Sequence, residues 1–463
     1  MGNEINKRVV LIIAAIGSFL TPFMGSSIVV ALPFIGKEFG MNTVSLNWSA
    51  TAFLLASAIF VVPFGRLSDI YGRRKTYLWG IIIFAAASIL CGISVSTHMF
   101  IAARAIQGFG GAMIFGTGVA ILTSVYPPKE RGKVLGINVA VVYLGSSVGP
   151  FFGGIMTQQL GWRSIFFVTA AIGIAAALLV IVLLKHEWKE AKGESFDYAG
   201  SVIYGIGLLA FMCGLSFMKT EWWGILVFVL GTIALIFFAV LEMRFKNPVL
   251  DIRLFATNRV LLFSTLAALI NYSATYAVSY LLSLYLQYVK GFDPQYAGLI
   301  LMAQPVAQAL LSPAAGKLSD CIEPQRVASI GMLLSVIGLV GLIFINNATG
   351  MAVIVVCLIV LGIGFALFSS PNTNAIMSSV DKRYYGVTSG LIGTARLVGQ
   401  TISMAVAAMV FALYMGNAQI TITYHPHFME SMRVIFMILA ALCLLGIFAS
   451  LARGKMHQEN KCE

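Results

Sequence analysis

The sequence predicts an all-α integral membrane protein with fourteen transmembrane helices, and three observations carry that prediction. The first is composition: of 463 residues 59% are hydrophobic and 10% charged, with a mean hydropathy of +0.91. Soluble globular chains hold about 45–50% apolar and about 25% charged residues. The second is run length. The apolar stretches are solid and about 20 residues long, which is what a helix needs to cross the hydrocarbon core. Barrel strands would instead alternate over about 10 residues, and lipid tolerates no third backbone arrangement. The third is the sorting of Lys and Arg that follows once the runs are counted.

Taken in order, span 1 is expected near 9–33, after Lys7 and Arg8. It is too long for a signal-peptide core and no small-residue cleavage site closes it, so it is retained. Spans 2 and 3 (46–64 and 77–96) flank the charged stretch "GRLSDIYGRRK" at 65–75. Span 4 (99–124) carries "RAIQG" and span 5 (134–158) carries "GSSVGPFFGG", with span 6 at 163–184 after "GW". Spans 7 and 8 (198–217 and 222–241) form a pair between two charged segments. Spans 9 and 10 (260–288 and 295–315) are followed by "GKLSD" at 316–320. Spans 11, 12, 13 and 14 follow at 327–346, 350–370, 386–415 and 432–452.

On this count twenty-three of the thirty Lys and Arg residues fall on one side, and two, Arg104 and Arg396, lie inside spans. The five on the other side are Lys37, Arg163, Lys219, Lys290 and Arg433. Positive residues favour cytoplasmic loops, so both termini are expected in the cytoplasm, with the chain a multi-pass protein of the cell membrane. Gly65 lies 56 residues after Val9, and Gly316 lies 56 after Val260. The chain therefore reads as two six-helix pseudo-repeats, 1–190 and 251–463, with an inserted helix pair at 191–250. Repeated halves of this kind place a binding site at their interface in many secondary transporters.

Each motif has a physical reading. Gly65 would let two helices approach, and Asp69 at a helix end could bind a helix N-terminus or an arginine. Such a contact must break when the halves rock, so Gly65, Asp69, Gly72, Arg73 and Arg74 form a candidate conformational latch; the plainer reading is a positive-inside anchor. A charge buried in a membrane helix costs about 2.5–3.5 kcal/mol, which marks Arg104, with Gln107 on the same face one turn on, as a coupling or substrate residue rather than a packing arginine. Arg396 and Gln400 repeat the arrangement. Pro150 removes a backbone hydrogen bond, and Gly145, Gly149, Gly153 and Gly154 would leave a smooth face for the partner half.

These residues resemble the major facilitator superfamily. "GRLSDIYGRRK" fits its loop signature G-x-L-x-D-x-x-G-R-[RK]-[RK], "RAIQG" fits R-x-x-Q-G, and residues 145–154 fit the antiporter pattern G-x-x-x-G-P-x-x-G-G. "VALP" at 30–33 and "GWRSIFFVTAAIG" at 161–173 are similar to the fourteen-helix drug:proton antiporter branch. The resemblance covers the whole chain and implies multidrug-exporter-like transport. It fails at one place. The branch usually has an acid nine residues before the proline of "ALP", and here that position is Met24; the asparagine often found before "VALP" is Val29.

No other carboxylate replaces that acid. The eighteen Asp and Glu residues fall in loops or near helix ends, among them Glu38, Asp69, Asp197, Glu242, Asp320 and Asp381, and the histidines lie near the surface. The expected cavity is thus electropositive. Asn271, Tyr272 and Tyr276 in span 9, the counterpart of span 1, are candidate lining residues, with Met24, Gln304 and Gln308. Asn372 and Asn374 are weaker candidates. The tyrosines could also hold lipophilic cations by cation–π contact.

Six scattered cysteines without a CxxC pair suggest neither a disulfide framework nor a metal site. No GxxxxGK[ST] or HExxH is present, and the one GxSxG match, GSSVG at 145–149, lies within span 5 and not on a strand-to-helix turn, so an ATP-driven pump and the familiar hydrolases are not expected. "GIGFA" at 362–366 lies inside a span and is no nucleotide fingerprint. The chain is expected to be no enzyme, with no catalytic residue, cofactor or metal. Its expected function is export of an amphipathic small molecule by alternating access, coupled to protons. The alternatives are a facilitator or organic-anion exchanger, and, from another class, a membrane receptor or scaffold. Expected partners are that substrate, protons and the lipid bilayer; no nucleic acid is expected, and the chain should be a monomer.

Overall fold

The computed structural model describes residues 6–454 apart from 219–221, 246–247, 251, 254, 256–257, 381–384 and 417, and omits the side chains of 128–129, 131–133, 320–321, 385–387 and 389. Asp320 of the "GKLSD" echo, Asp381, and the basic residues Lys129, Arg131, Lys133, Lys219, Lys246, Lys382, Arg383, Lys455 and Lys461 lie outside the described residues or side chains.

Among the described residues, fourteen helices are long and apolar enough to cross a membrane. They are α1 (Lys7–Phe39), α2 (Thr43–Tyr71), α3 (Arg73–Gly92), α4 (Thr97–Val125), α5 (Pro128–Leu160), α6 (Arg163–Leu183), α7 (Tyr198–Phe217), α8 (Trp223–Glu242), α9 (Arg259–Val289), α10 (Pro294–Ser319), α11 (Pro324–Ile343), α12 (Met351–Ser378), α13 (Tyr385–Tyr414) and α14 (His425–Ala452). All fourteen predicted spans are present. Several run beyond the predicted ends, because the caps sit outside the apolar run: Asn42 accepts from Ser45 N at 2.7 Å before α2, and Gly40 ends α1 at φ 62°. Left-handed backbone of that kind suits glycine.

Helices α1–α6 pack into one half and α9–α14 into the other, while the α7–α8 hairpin lies against α2 and α13. Inside the second half, a Cβ on Gly331 would fall 2.6 Å from Gly364 O, so these backbones touch as small residues permit. An even number of spans leaves both termini at one end of the bundle, here the terminal side; the opposite end is the far side.

On the terminal side the charged loop is clasped by its own half. Glu187 accepts from Arg74 N at 2.8 Å and Lys75 N at 3.2 Å, capping α3. Arg73 binds Asp69 Oδ1 at 2.7 Å and Ser124, and Arg66 pairs with Glu194. Gly72, at φ 132°, has no room for a Cβ, which would lie 2.5 Å from Glu187. Gly65 does not play the part expected of it: its missing Cβ faces no described atom within 4 Å. The α2–α4 approach depends on glycines of α4, Gly108, whose Cβ would fall 2.3 Å from Phe53 O, and Gly116, whose Cβ would meet Gly65 N at 3.2 Å.

The antiporter glycines also differ from expectation. Gly145, Gly149 and Gly153 face α1 of their own half, at Phe19 O, Ser26 and Ser27. Only Gly154 meets the partner half, where its Cβ would fall 2.4 Å from Pro294 O. The phase of the helix explains this: one stripe of small residues serves α1, and the seam with α10 takes over at its far-side end.

Candidate functional site

Helices α1, α2, α4 and α5 of one half and α9, α10, α12 and α13 of the other enclose a cavity of about 200 Å³ near the middle of the bundle. Its wall carries the aromatic side chains Phe53, Phe115, Tyr143, Tyr272, Tyr276, Tyr280 and Phe365 among aliphatic and small residues, with Arg396, Gln304, Gln308 and Gln400 as its strongest polar groups.

Interrupted backbone positions much of this wall. Helix α9 is interrupted at Tyr276, and Ala277 N donates instead to Ser403 Oγ of α13 at 3.0 Å. Helix α10 breaks at Met302, just before Pro305, which has no N–H for the Leu301 carbonyl. Interrupted backbone at membrane depth is tolerated where it is buried or lines a cavity. The same logic seals the far side. Pro33 leaves Val29 O without its intrahelical donor, and Ser283 Oγ of α9 donates to it at 2.7 Å. Gln287 Nε2 donates to Val30 O at 3.0 Å and Tyr288 Oη to Pro33 O at 3.2 Å. Gln419 Nε2 donates to Gly40 O at 2.9 Å. The halves are thus hydrogen-bonded together beyond the cavity. On its terminal side Tyr143 Oη and Ser369 Oγ meet at 2.9 Å.

The charge of the site is one-signed. Among the described residues no Asp or Glu lines the cavity. The Arg396 guanidinium lies 5.2 Å from the Phe115 ring centroid, and no carboxylate pairs with it among the described residues. Gln304 Oε1 is buried without a donor, so a ligand N–H or O–H would satisfy it. Together these offer a cation, an amide acceptor and stacking faces: recognition chemistry for an aromatic molecule with a polar or anionic edge.

Tyr272, Tyr276, Gln304, Gln308, Arg396 and Gln400 line the cavity as the sequence suggested, and Pro150, expected to bend its helix, lines it too. Six candidates do not. Arg104 is 1% exposed and lies behind Phe53, with its guanidinium 4.7 Å from that ring; Nε donates to Ser49 O at 3.2 Å and Nη1 to Gln107. Gln107 passes the bond on to Ser88 Oγ at 2.7 Å, so this chain ties α2, α3 and α4 together. Met24 is fully buried beside Thr169 of α6. Asn271 is fully buried without a hydrogen-bond partner for either amide atom. Asn372 and Asn374 bind Ser264 O and Ser319 Oγ within their own half. Sequence reasoning missed Phe53, Phe115 and Tyr143. Nothing distinguished them from the many other aromatics in apolar spans, although Tyr143 sits half a turn before the antiporter motif.

The family model of the Major Facilitator Superfamily matches residues 14–404 and 264–461. The riboflavin transporter RibZ of Clostridioides difficile is 31% identical over 95% of this chain and 96% of its own. The multidrug resistance protein Stp of Mycobacterium tuberculosis is 31% identical over 90% of this chain and 77% of its own. Among solved structures, a bacterial homologue of the human lysosomal transporter Spinster, inward-facing and unoccupied, superposes with a TM-score of 0.71 at 16% identity, covering 98% of both chains. With two six-helix halves around a central cavity and relatives named as transporters, this chain belongs to the Major Facilitator Superfamily and is a multi-pass membrane transporter, not an enzyme.

Proposed function

We propose that this chain is a secondary active exporter of amphipathic small molecules, neutral or anionic and carrying an aromatic ring system, working by alternating access with protons as the coupling ion. The observation that carries the reading is Arg396 facing an aromatic cavity that no carboxylate lines. A dication would meet an uncompensated positive charge there, whereas an anionic or polar edge would answer it. A riboflavin transporter and a multidrug resistance protein among the relatives fit a planar aromatic substrate class. The terminal side is cytoplasmic on the Lys and Arg distribution, and the cell membrane is the site of export. The far-side hydrogen bonds then make this an inward-facing conformation, with Asp69 held by Arg73 rather than latched to the other half.

The test uses everted membrane vesicles with an imposed proton gradient and a pH probe. Adding a lipophilic anion or a neutral aromatic amphipath should release protons, and adding a lipophilic cation should not. Release by the cation alone would overturn the substrate class. Substrate movement without any proton release would favour the second reading, a facilitator or organic-anion exchanger, which the carboxylate-free cavity also suits. Absence of any substrate movement would leave a receptor or scaffold.

A further inference from the structure

Away from the cavity, at the terminal-side root of the inserted hairpin, two carboxylates are buried against each other. Asp197 is 4% exposed and Glu242 is fully buried. Each spends one oxygen on backbone: Asp197 Oδ1 accepts from Gly200 N at 2.8 Å, capping α7, and Glu242 Oε2 accepts from Leu250 N at 3.0 Å. The other oxygens, Asp197 Oδ2 and Glu242 Oε1, are both buried without a donor. They converge on one point, because a Cβ on Gly200 would lie 2.3 Å from the first and 2.5 Å from the second.

No ion pair reaches either carboxylate among the described residues. Of the surrounding charges, Arg253 turns its guanidinium onto Met243 O at 3.0 Å and Phe245 O at 2.6 Å, and Arg244 is exposed. Glu194, ahead of α7, is paired with Arg66 of α2, and the two nearby tyrosines, Tyr71 and Tyr198, are exposed. Lys246, Asp251, Lys382 and Arg383 lie outside the described residues. Two ionised carboxylates at this separation, unpaired and out of water, repel strongly. One proton taken from solvent removes the repulsion and supplies the missing donor, as an O–H on one carboxyl given to the oxygen of the other.

We infer that Asp197 and Glu242 form a proton-binding site, holding one shared proton between Oδ2 and Oε1 at neutral pH. The site is placed to be felt by both halves. Tyr204 Oη of α7 donates to Ala58 O of α2 at 3.0 Å, α7 also packs on α13, and Leu250 belongs to the connection that leads into α9. Loss of the proton would drive the carboxylates apart and with them the Leu250 contact, loosening the hairpin from the segment entering the second half. This inference does not depend on the transport reading, since it concerns occupancy by a proton and not substrate movement.

The test is infrared difference spectroscopy on the full-length protein in lipid nanodiscs, titrated from acid to alkaline pH. The wild type should show a protonated carboxyl C=O band at neutral pH that disappears only on further alkalinisation. Glu242→Gln and Asp197→Asn, which keep an acceptor for Leu250 N and Gly200 N respectively, should each lose that band. A wild type without a protonated carboxyl at neutral pH would overturn the inference, and so would a band that survives in both folded variants.

Discussion

Gly298→Ala should open the far side of the transporter. A Cβ at this position would lie 2.1 Å from Pro150 O and 2.9 Å from Pro150 C, where ordinary contact begins near 3.4 Å. The seam between α5 and α10 must therefore part by about 1.3 Å, the difference between 3.4 and 2.1 Å. Backbone atoms oppose the methyl group, so no rotamer change relieves it. Overpacking of this kind typically costs about 1–3 kcal/mol. The contact joins the two halves on the far side, and in the proposed alternating access the halves part there, so the penalty would fall on the far-side-closed conformation. A penalty of about 1–3 kcal/mol corresponds to a roughly 5- to 150-fold shift in population. Spin labels at the exposed positions Gln159 and Tyr296, measured by double electron–electron resonance in nanodiscs, should show a longer distance population grow in the variant. Gly136→Ala, on α5 with nothing within 4 Å of its Cβ, is the control and should match the wild type. A Gly298→Ala distribution identical to the control would refute the assignment of this seam as a conformation-specific contact.

Ser283→Ala should act in the same direction, because it strips Val29 O of its donor in an apolar seal, and a buried unpaired acceptor costs about 1–3 kcal/mol; the same label pair reads it. Arg104→Ala removes a charged hydrogen-bond donor and a ring contact behind the cavity wall, so melting in detergent should drop by the equivalent of about 3 kcal/mol, while substrate affinity of the folded fraction stays unchanged. A large loss of affinity at preserved stability would return Arg104 to the binding site. Glu187→Ala uncaps α3 and should cost about 1 kcal/mol of thermal stability, with Glu187→Gln recovering most of it; no effect would mean the loop clasp is solvated and idle.

Much of the architecture was legible in the sequence because hydropathy and charge are set by the bilayer. All fourteen spans were placed; the pseudo-repeat pointed to Tyr272 and Tyr276, and with them to Asn271, which does not line the cavity, while the lone charge in span 13 pointed to Arg396 and Gln400. What stayed hidden was the rotation of each helix about its axis. In α1 the buried residues surround the helix, from Val29 beneath the seal to Met24 beside α6, so apolar periodicity could not say which face meets the cavity. Arg104 and Arg396 look alike as lone arginines in spans, yet one points between helices of its own half and the other into the cavity. The antiporter glycines suggested a seam between halves, but glycine spacing records only that a backbone comes close, not which one. Asp197 and Glu242 sit at helix ends, where solvent is the usual expectation; their burial depends on the connection near Leu250 folding back over them.

In the proposed function Arg396 sets the charge class of the substrate. Matched anionic, neutral and cationic forms of one fluorescent aromatic amphipath, bound to the purified protein and to Arg396→Gln, read this out. The wild type should bind the anionic and neutral forms more tightly than the cation. The variant should bind the anion about 10- to 150-fold more weakly, the worth of a charged hydrogen bond, with the cation unchanged or improved. Equal binding of all three forms by both proteins, or a preference for the cation, would rule out that role for Arg396.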